Sequence, residues 1–599
     1  MLVQRLNEYA DRVADELPAE FYRAKKVHWV LDIAEDGASA VLLDRRTSSR
    51  QRGEALVEQV PYVQRSGTKV PPYLLVDSAE FVLGVPKADQ AGHISDKART
   101  EAARRHAAYR ELALTWAEAE EEDPAAGALR RFLADGITNL RLPETLEAKE
   151  TVALMVGSRW LHTTPSVQRL WGDVVRQRKG GGEERKGQCL SCGEHAGLLD
   201  TIPEPVKKGA IPTAGGSNEG QLISVNTAAQ GRGGVTQLAN TPICYRCGGR
   251  MMAALNHLVA SSTHCRRFRD DGVLLWWTRE ATDESVLAMF FDDQPDPADI
   301  AHLIDSLHTE PSPHTSARVD SDHFYGLSLG LNNARLVVRE WIDTPLPTIK
   351  TCIGAWYADH GVYDGWNDRT RYVPLWQMAL SCGRWTGERY ASDSAPRGLE
   401  SELLRSALRG DPPPARTLPL VLQRIHADRR IDAPRIALLR LILNRSADEE
   451  NHVMPTLDPH STDPAYLSGR LFAVLEEIQR EALPDLNTTL RDKHFSTAVT
   501  APNATLRHLR VNANAHLKRL RRDNRGAGVS LEKRITEIYA KLHDDLPLHL
   551  TPIEQGRFIT GYEHQRAEHF AAAREGAEAR KAKKASQEGT PETPPEPAA

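Results

Sequence analysis

Two short motifs limit what this chain can fold into more than any other feature. Cys189-Leu190-Ser191-Cys192-Gly193 and Cys244-Tyr245-Arg246-Cys247-Gly248 are both CxxCG knuckles. A two-residue turn presents both sulfurs on one side, and the following glycine relieves the backbone there. Four thiolates from two such turns make a closed tetrahedral site, expected to hold a structural Zn2+ through Cys189, Cys192, Cys244 and Cys247. A closed site keeps no position open for water or substrate, so its expected role is to organise structure. Two disulfides are the alternative; they need an oxidising compartment, and no apolar segment near the N-terminus directs the chain to one. His195, His257 and His264 lie near the knuckles in sequence and could replace a cysteine as ligand.

Between the knuckles the chain is rich in glycine, with Gly209, Gly215, Gly216, Gly220, Gly231, Gly233 and Gly234 interrupted by the apolar Leu222-Ile223-Ser224-Val225. A metal tie at each end would turn this into a restrained loop that brings bare backbone close to a partner. Lys207, Lys208 and Arg232 give it positive charge, which suits a phosphate backbone. A flexible, solvated insertion is the other reading.

At 599 residues the chain has room for three or four domains. Its formal net charge of −5 leaves no overall polycationic character, so any nucleic-acid surface must be local. No run of eighteen apolar residues exists, which excludes a membrane-spanning helix. The remaining cysteines, Cys265, Cys352 and Cys382, are scattered and odd in number, as expected of reduced thiols in a cytoplasm.

Leu2, Leu6, Tyr9 and Val13 recur at helical spacing and predict an opening amphipathic helix that ends near Pro18. Val27 to Ile33 and Ser39 to Leu43 read as a hairpin, and Tyr73 to Val76 as a further strand. Arg65 and Lys69 lie in the polar loop between, where a loop tip could touch nucleic acid. From Gly92 to about Val175 the pattern is mostly helical. Met251 to Ala260 reads as a helix, and Val273 to Trp277 and Ala334 to Val338 as strands. From Arg397 the chain turns helical, with a polar linker from Arg445 to Pro464. Beyond it Leu467, Leu471, Val474, Leu475 and Ile478 line one helix face.

The pattern predicts an α+β, multidomain chain. A mixed α/β N-terminal domain carries an inserted four-cysteine zinc module and is followed by a mainly α C-terminal helical bundle. The expected divisions are 1–186 (N-terminal α+β region), 187–250 (zinc-clasped insertion), 251–350 (remainder of the α+β domain), 351–453 (mainly helical connecting region and linker), 454–578 (helical bundle) and 579–599 (disordered tail). In the bundle Arg507, Arg510, Lys518, Arg519, Arg521, Arg522 and Arg525 concentrate positive charge, with Asp523 in opposition. On helices this is expected to track a nucleic-acid backbone, the alternative being a solvated face.

Motifs for catalysis are missing. There is no GxxxxGK[ST] phosphate loop, no HExxH and no GxSxG. Asp322-His323 is an adjacent pair that would suit a metal-dependent nuclease, and such dipeptides are common by chance. Binding is expected rather than catalysis.

The ordered set of segments resembles the large subunit of the subtype I-C CRISPR interference complex, Cascade, over nearly the whole length. The resemblance rests on the opening helix, Val82-Leu83-Gly84, Leu222-Ile223-Ser224-Val225-Asn226, Asn240-Thr241-Pro242-Ile243, Ala253-Ala254-Leu255-Asn256-His257-Leu258 and the strand from Ala334 to Trp341. It is strongest in Tyr466 to Glu476 and Glu554 to Gln565. Where relatives commonly read Ser-Tyr-Gly, this chain reads Gly231-Arg232-Gly233, so individual contacts in that loop do not transfer.

The resemblance implies a non-catalytic subunit that inspects the protospacer-adjacent motif in double-stranded DNA and helps open it, while guide RNA reads the rest. It implies assembly with guide RNA, backbone and 5′-handle-binding subunits, a displaced single strand held by the helical part, and a nuclease-helicase recruited in trans. Motif inspection is expected from Arg65, Lys69, Lys207, Lys208, Arg232, Gln237 and Asn240, and strand holding from the basic helices. Relatives also make a small subunit by internal translation, for which Met454, or Val453, stands at a fitting position. The competing reading is a zinc-ribbon nucleic-acid-binding accessory unrelated to CRISPR.

Overall fold

The computed structural model describes residues 2–46, 56–65, 70–136, 140–180, 185–213, 218–268, 272–280, 285–292, 294–307, 322–446, 452–543 and 545–588. The chain is α+β as expected, with a mixed α/β N-terminal region and a helical C-terminal half. It divides into two compact units. One comprises Met1–Arg279 with Tyr325–Ile342, the other Glu280–Phe324 with Asp343–Ala599. Among the described residues no helix is long and apolar enough to cross a membrane.

The first unit opens with helix α1 (Leu2–Arg12), whose Leu6, Tyr9 and Ala10 are buried. Strands β1 (Tyr22–Val27), β2 (Trp29–Ile33), β3 (Ala40–Asp44), β4 (Leu56–Pro61) and β5 (Val76–Ser78) follow. β2 and β3 form the expected hairpin, antiparallel with Leu31 opposite Leu42. After helices α2 (Ala79–Val82), α3 (Asp96–Ala119) and α4 (Pro124–Arg131) comes strand β6 (Thr151–Val156), then the short β7 (Arg159–Trp160) and helix α5 (Pro165–Lys179). β6 corrects the expectation of a mostly helical stretch from Gly92 to Val175. It lies between β2 and β5 in the order β3-β2-β6-β5, parallel to β2 with Leu154 beside Leu31. Every residue of Thr151-Val-Ala-Leu-Met-Val156 is buried. An apolar run without alternation cannot be told from a buried helix by period, and here the neighbouring strands decide.

A second core in this unit joins α1 to helix α6 (Tyr245–Ala260) and to a sheet ordered β10-β11-β12-β13. These strands are β10 (Cys265–Phe268), β11 (Gly272–Thr278), β12 (His323–Asn332) and β13 (Arg335–Pro345). Leu6, Tyr9, Met251, Leu255, Leu258, Leu275, Trp277 and Leu327 meet there. Burial of such side chains stabilises by about 1.5–3 kcal/mol each.

The second unit is mainly helical. Its Pro464–Ala482 helix packs against Pro552–Glu588, where Gly469 and Gly561 let the backbones approach: a Cβ on Gly469 would stand 1.9 Å from the carbonyl oxygen of Phe558. The Pro552–Glu588 helix continues into the segment expected to be a disordered tail, of which 589–599 lie outside the described residues. Among the described residues of this unit, Arg435 and Arg440 are fully enclosed. Arg435 is 0% exposed and donates to the carbonyls of Ser381, Gly383, Arg424 and Arg430 while pairing with Asp428. A buried charge is tolerated only when its donors are satisfied in this way.

Candidate metal centre and basic surfaces

The first knuckle sits in the turn of a hairpin formed by β8 (Lys186–Gln188) and β9 (His195–Gly197). Its chain reversal is closed by Cys189 N–H to Glu194 at 2.9 Å and Gly193 N–H to Cys189 at 2.9 Å. Gly193 takes a left-handed φ of +77°, as the motif led us to expect. The second knuckle differs. Cys244 caps the N-terminus of α6 and Cys247 lies in its first turn. Gly248 is therefore helical, and its lack of a side chain serves close packing: a Cβ there would meet Leu199 Cδ1 at 2.2 Å.

The two knuckles are sewn together by Leu190 N–H to Pro242 and Leu199 N–H to Ile243, both 2.9 Å. As a result the sulfurs of Cys189, Cys192, Cys244 and Cys247 all lie within 4.8 Å of one another. Cys189, Cys244 and Cys247 are buried and Cys192 is exposed. Backbone N–H groups already point at sulfur, from Cys244 to Cys189 Sγ at 3.3 Å and from Ser191 to the same atom at 3.4 Å. Burial pushes the Cys189 thiol up, but N–H groups from Cys192, Cys244 and Ser191 draw it down, to about 7. Burial pushes Cys244 and Cys247 up. A divalent cation at the centre would favour thiolate at all four. The donor set thus fits one tetrahedral ion. Among the described residues the cluster consists of cysteines alone. His257 instead shares a hydrogen bond of 3.0 Å with the Tyr9 hydroxyl, and His195 is exposed.

The loop between the knuckles is not held by its ends alone. Leu199, Ile202, Val206, Ile211 and Leu238 are buried in the core shared with α6. Gln221 bridges to the sheet, its N–H to Ala334 and its carbonyl from Leu336, both 2.9 Å. Of the residues singled out, Lys208, Arg232 and Asn240 are exposed, and Asn240 Nδ2 donates to the carbonyl of Arg232 at 3.2 Å. Gln237 has a φ of 57° and gives its N–H to Val225 at 2.7 Å. Lys207 is half-buried, and burial beside Arg23 lowers its pKa. Gly215 and Gly216 lie outside the described residues.

Arg65, expected at a loop tip, is instead packed inward. Its guanidinium pairs with buried Asp77 and stands 3.3 Å from the ring centroid of Tyr73. Lys69 lies outside the described residues. Sequence reading also passed over Arg23 and Lys25, which alternation in β1 places on one face. Arg23 reaches Glu204 at 3.6 Å and Glu219 at 3.4 Å and lies over Tyr62, while Lys25 lies over Tyr73. Burial lifts the Glu204 carboxyl to about 7 against the pull of Arg23 and Lys207. The spacing Arg23-x-Lys25 in a strand with buried Tyr22 and Val27 at its ends was the available signal.

The basic cluster of the second unit falls on the Pro502–Asp523 helix and the start of the Arg525–Leu542 helix. Arg507, Lys518, Arg519, Arg521, Arg522 and Arg525 are exposed. Arg510 is half-buried and bonds Asn514 at 2.6 Å. Opposition is larger than the sequence indicated. Asp523 pairs with Arg519 at 3.5 Å and Arg522 at 2.8 Å, and Glu532 takes Arg521. Arg507, Lys518 and Arg525 make no ion pair among the described residues.

The Asp322-His323 pair is built into backbone. Asp322 is 0% exposed and accepts the N–H groups of Glu280 at 2.9 Å and His323 at 2.8 Å. His323 faces Asp343 at 3.2 Å.

A family model described as "CRISPR-associated protein (Cas_Csd1)" matches residues 6–570. No curated protein matches the chain.

Proposed function

The chain belongs to the Cas_Csd1 family of CRISPR-associated proteins, and from that premise we propose that it is the non-catalytic large subunit of a type I-C Cascade, serving antiviral defence. The observation that carries this reading is the match from residue 6 to residue 570, which takes in both the cysteine cluster and the basic helices. In the proposal the four cysteines bind a structural Zn2+. That ion supplies a rigid cross-link and no reactivity, and Lys208, Arg232 and Asn240 are carried on the loop it fastens.

Those three exposed groups inspect the protospacer-adjacent motif in duplex DNA, with Gln237 and Lys207 supporting their loop from half-buried positions. Arg65 acts through Asp77 and Tyr73 as a positioning residue. A few contacts to a short duplex suffice to start unwinding, because the guide–target heteroduplex nearly balances the base pairs lost. The displaced strand runs over Arg507, Lys518, Arg519, Arg521, Arg522 and Arg525. Such attraction depends on salt and not on sequence. Cleavage belongs to a nuclease-helicase recruited in trans, and the C-terminal helices also arise as a separate small subunit beginning near Met454. Neither the fold nor the family match favours the alternative of a nucleic-acid-binding accessory unrelated to CRISPR.

The test is purification of the tagged chain from cells that express the flanking genes. Guide RNA, backbone subunits and a C-terminal polypeptide beginning near residue 454 are expected in the eluate. A lone chain without RNA overturns the assembly, and a complex without the short polypeptide overturns the internal start.

A further inference from the structure

A cavity of about 670 Å3 opens in the helical unit beside the Leu375–Ser381 helix. Trp376, Trp385 and Tyr390 line it together with Arg384, Arg389 and Asp393. Trp385 and Tyr390 face each other across an isolated bridge, their rings 5.1 Å apart at 72°. Between them the chain turns at Gly387, with φ of +105°, closed by Thr386 N–H and Oγ1 to the carbonyl of Arg389 at 2.9 and 2.8 Å.

The walls of this cavity are held from behind. The enclosed Arg435 donates to the carbonyls of Ser381 and Gly383, at 3.1 and 3.2 Å. Asp428, paired with Arg435 and Arg424, accepts the N–H of Trp385 at 3.1 Å. Tyr390 gives its hydroxyl proton to Asp432 at 2.6 Å, and Arg430 stacks on Trp385 at 3.5 Å. In contrast Arg384 and Arg389 are exposed and make no ion pair among the described residues. Fixed aromatic planes edged by two unengaged guanidiniums are what a flat base with an attached phosphate requires. The volume falls within the range of small-ligand clefts and exceeds what one side chain would fill.

We propose that this cavity binds a nucleotide, its base packed against Trp376, Trp385 and Tyr390 and its phosphate met by Arg384 and Arg389, with the Asp393 carboxylate available to an N–H on the base edge. The chemistry is shared by a free nucleotide and by one residue of a single strand. Its lining residues all belong to the helical unit, and none of them is a cysteine of the cluster or a member of the basic helices.

The experiment uses the full chain and a short single-stranded DNA containing 5-iodouracil, irradiated and mapped by peptide mass. Crosslinks at Trp376, Trp385 or Tyr390 are expected. Competition by unlabelled strand but not by thymidine monophosphate assigns the cavity to a strand, and equal competition by the mononucleotide assigns it to free nucleotides. The doubly substituted R384A/R389A chain, altered at exposed positions, is expected to lose about fivefold or more in strand affinity, with a weaker salt dependence. Crosslinks confined to other segments, a double variant that binds like the parent, or no binding of either probe would overturn the proposal. None of these results depends on guide RNA, so the cavity can fail while membership of the complex stands.

Discussion

The carbonyl oxygen of Val453 accepts two hydrogen bonds from the enclosed guanidinium of Arg440, at 3.2 Å from Nε and 2.8 Å from Nη2. Asn444 completes the grip, giving Nδ2 to the same oxygen at 3.2 Å and taking the Val453 N–H at 2.7 Å. The stretch expected to be a linker is thus fastened to the preceding helix at one residue. Met454, the position for an internal start, is 55% exposed and begins one residue past that grip.

Replacing Arg440 by Met should leave the carbonyls of Val453 and Gly361 without these donors. Burial lowers the Arg440 pKa to about 10, so the group is still charged at neutral pH. Removing it is expected to destabilise the helical unit by about 3 kcal/mol. The urea midpoint of the full chain reads this directly, and faster proteolysis after Met454 should accompany it. A change below about 0.5 kcal/mol would show that the grip carries little.

The two knuckle glycines should respond differently to alanine. At Gly248 the new methyl collides with Leu199, a residue 0% exposed, which overpacks the core at a cost of about 1–3 kcal/mol. At Gly193 nothing lies within 4 Å, but φ is +77°, and the left-handed backbone costs about 1–2 kcal/mol with no packing change. Gly248→Ala should therefore release metal faster to a chromophoric chelator than Gly193→Ala. The reverse order would contradict the packing of Leu199 against α6.

Acid should weaken the helical unit through two enclosed histidines. Burial holds His564 and His360 down to about 3, against an ordinary 6.5. Because the folded pKa is the lower one, the unfolded chain binds more protons between 6.5 and 3. Stability from each neutral histidine is complete above pH 6.5 and falls by about 1.4 kcal/mol per pH unit below it. His564→Gln should make the acid limb shallower by about one proton, measured by urea unfolding at several pH values. An unchanged slope would mean that His564 protonates without unfolding.

On the basic helices, Lys518→Ala with Arg525→Ala should reduce the slope of log affinity against log salt by about 1.4 for single-stranded DNA, about 0.7 for each charge removed. Both residues are exposed and without ion pairs among the described residues, so thermal stability should not change. Arg521→Ala should do less to binding, since Glu532 already engages that side chain. An unchanged slope in the double variant would place the strand elsewhere.

What the sequence settled about this protein is what local chemistry settles. Two cysteines at CxxC spacing can share one ion whatever surrounds them, so the four cysteines that come together were legible at once. The period of Leu2, Leu6 and Tyr9 revealed an apolar face that α1 buries, and the ordered motifs carried the family. Tertiary structure alone decided the rest. β6 is a strand because β2 and β5 flank it, and its unbroken burial erased the alternation that would have announced it. Arg65 turned inward because Asp77 and Tyr73 stand beside it, and Arg435 and Arg440 became enclosed scaffolding instead of surface charge. Gly248 has no room for a side chain only because Leu199 arrives from the loop between the knuckles. In each case the deciding partner is distant in the chain or on another element, and no spacing rule reaches that far.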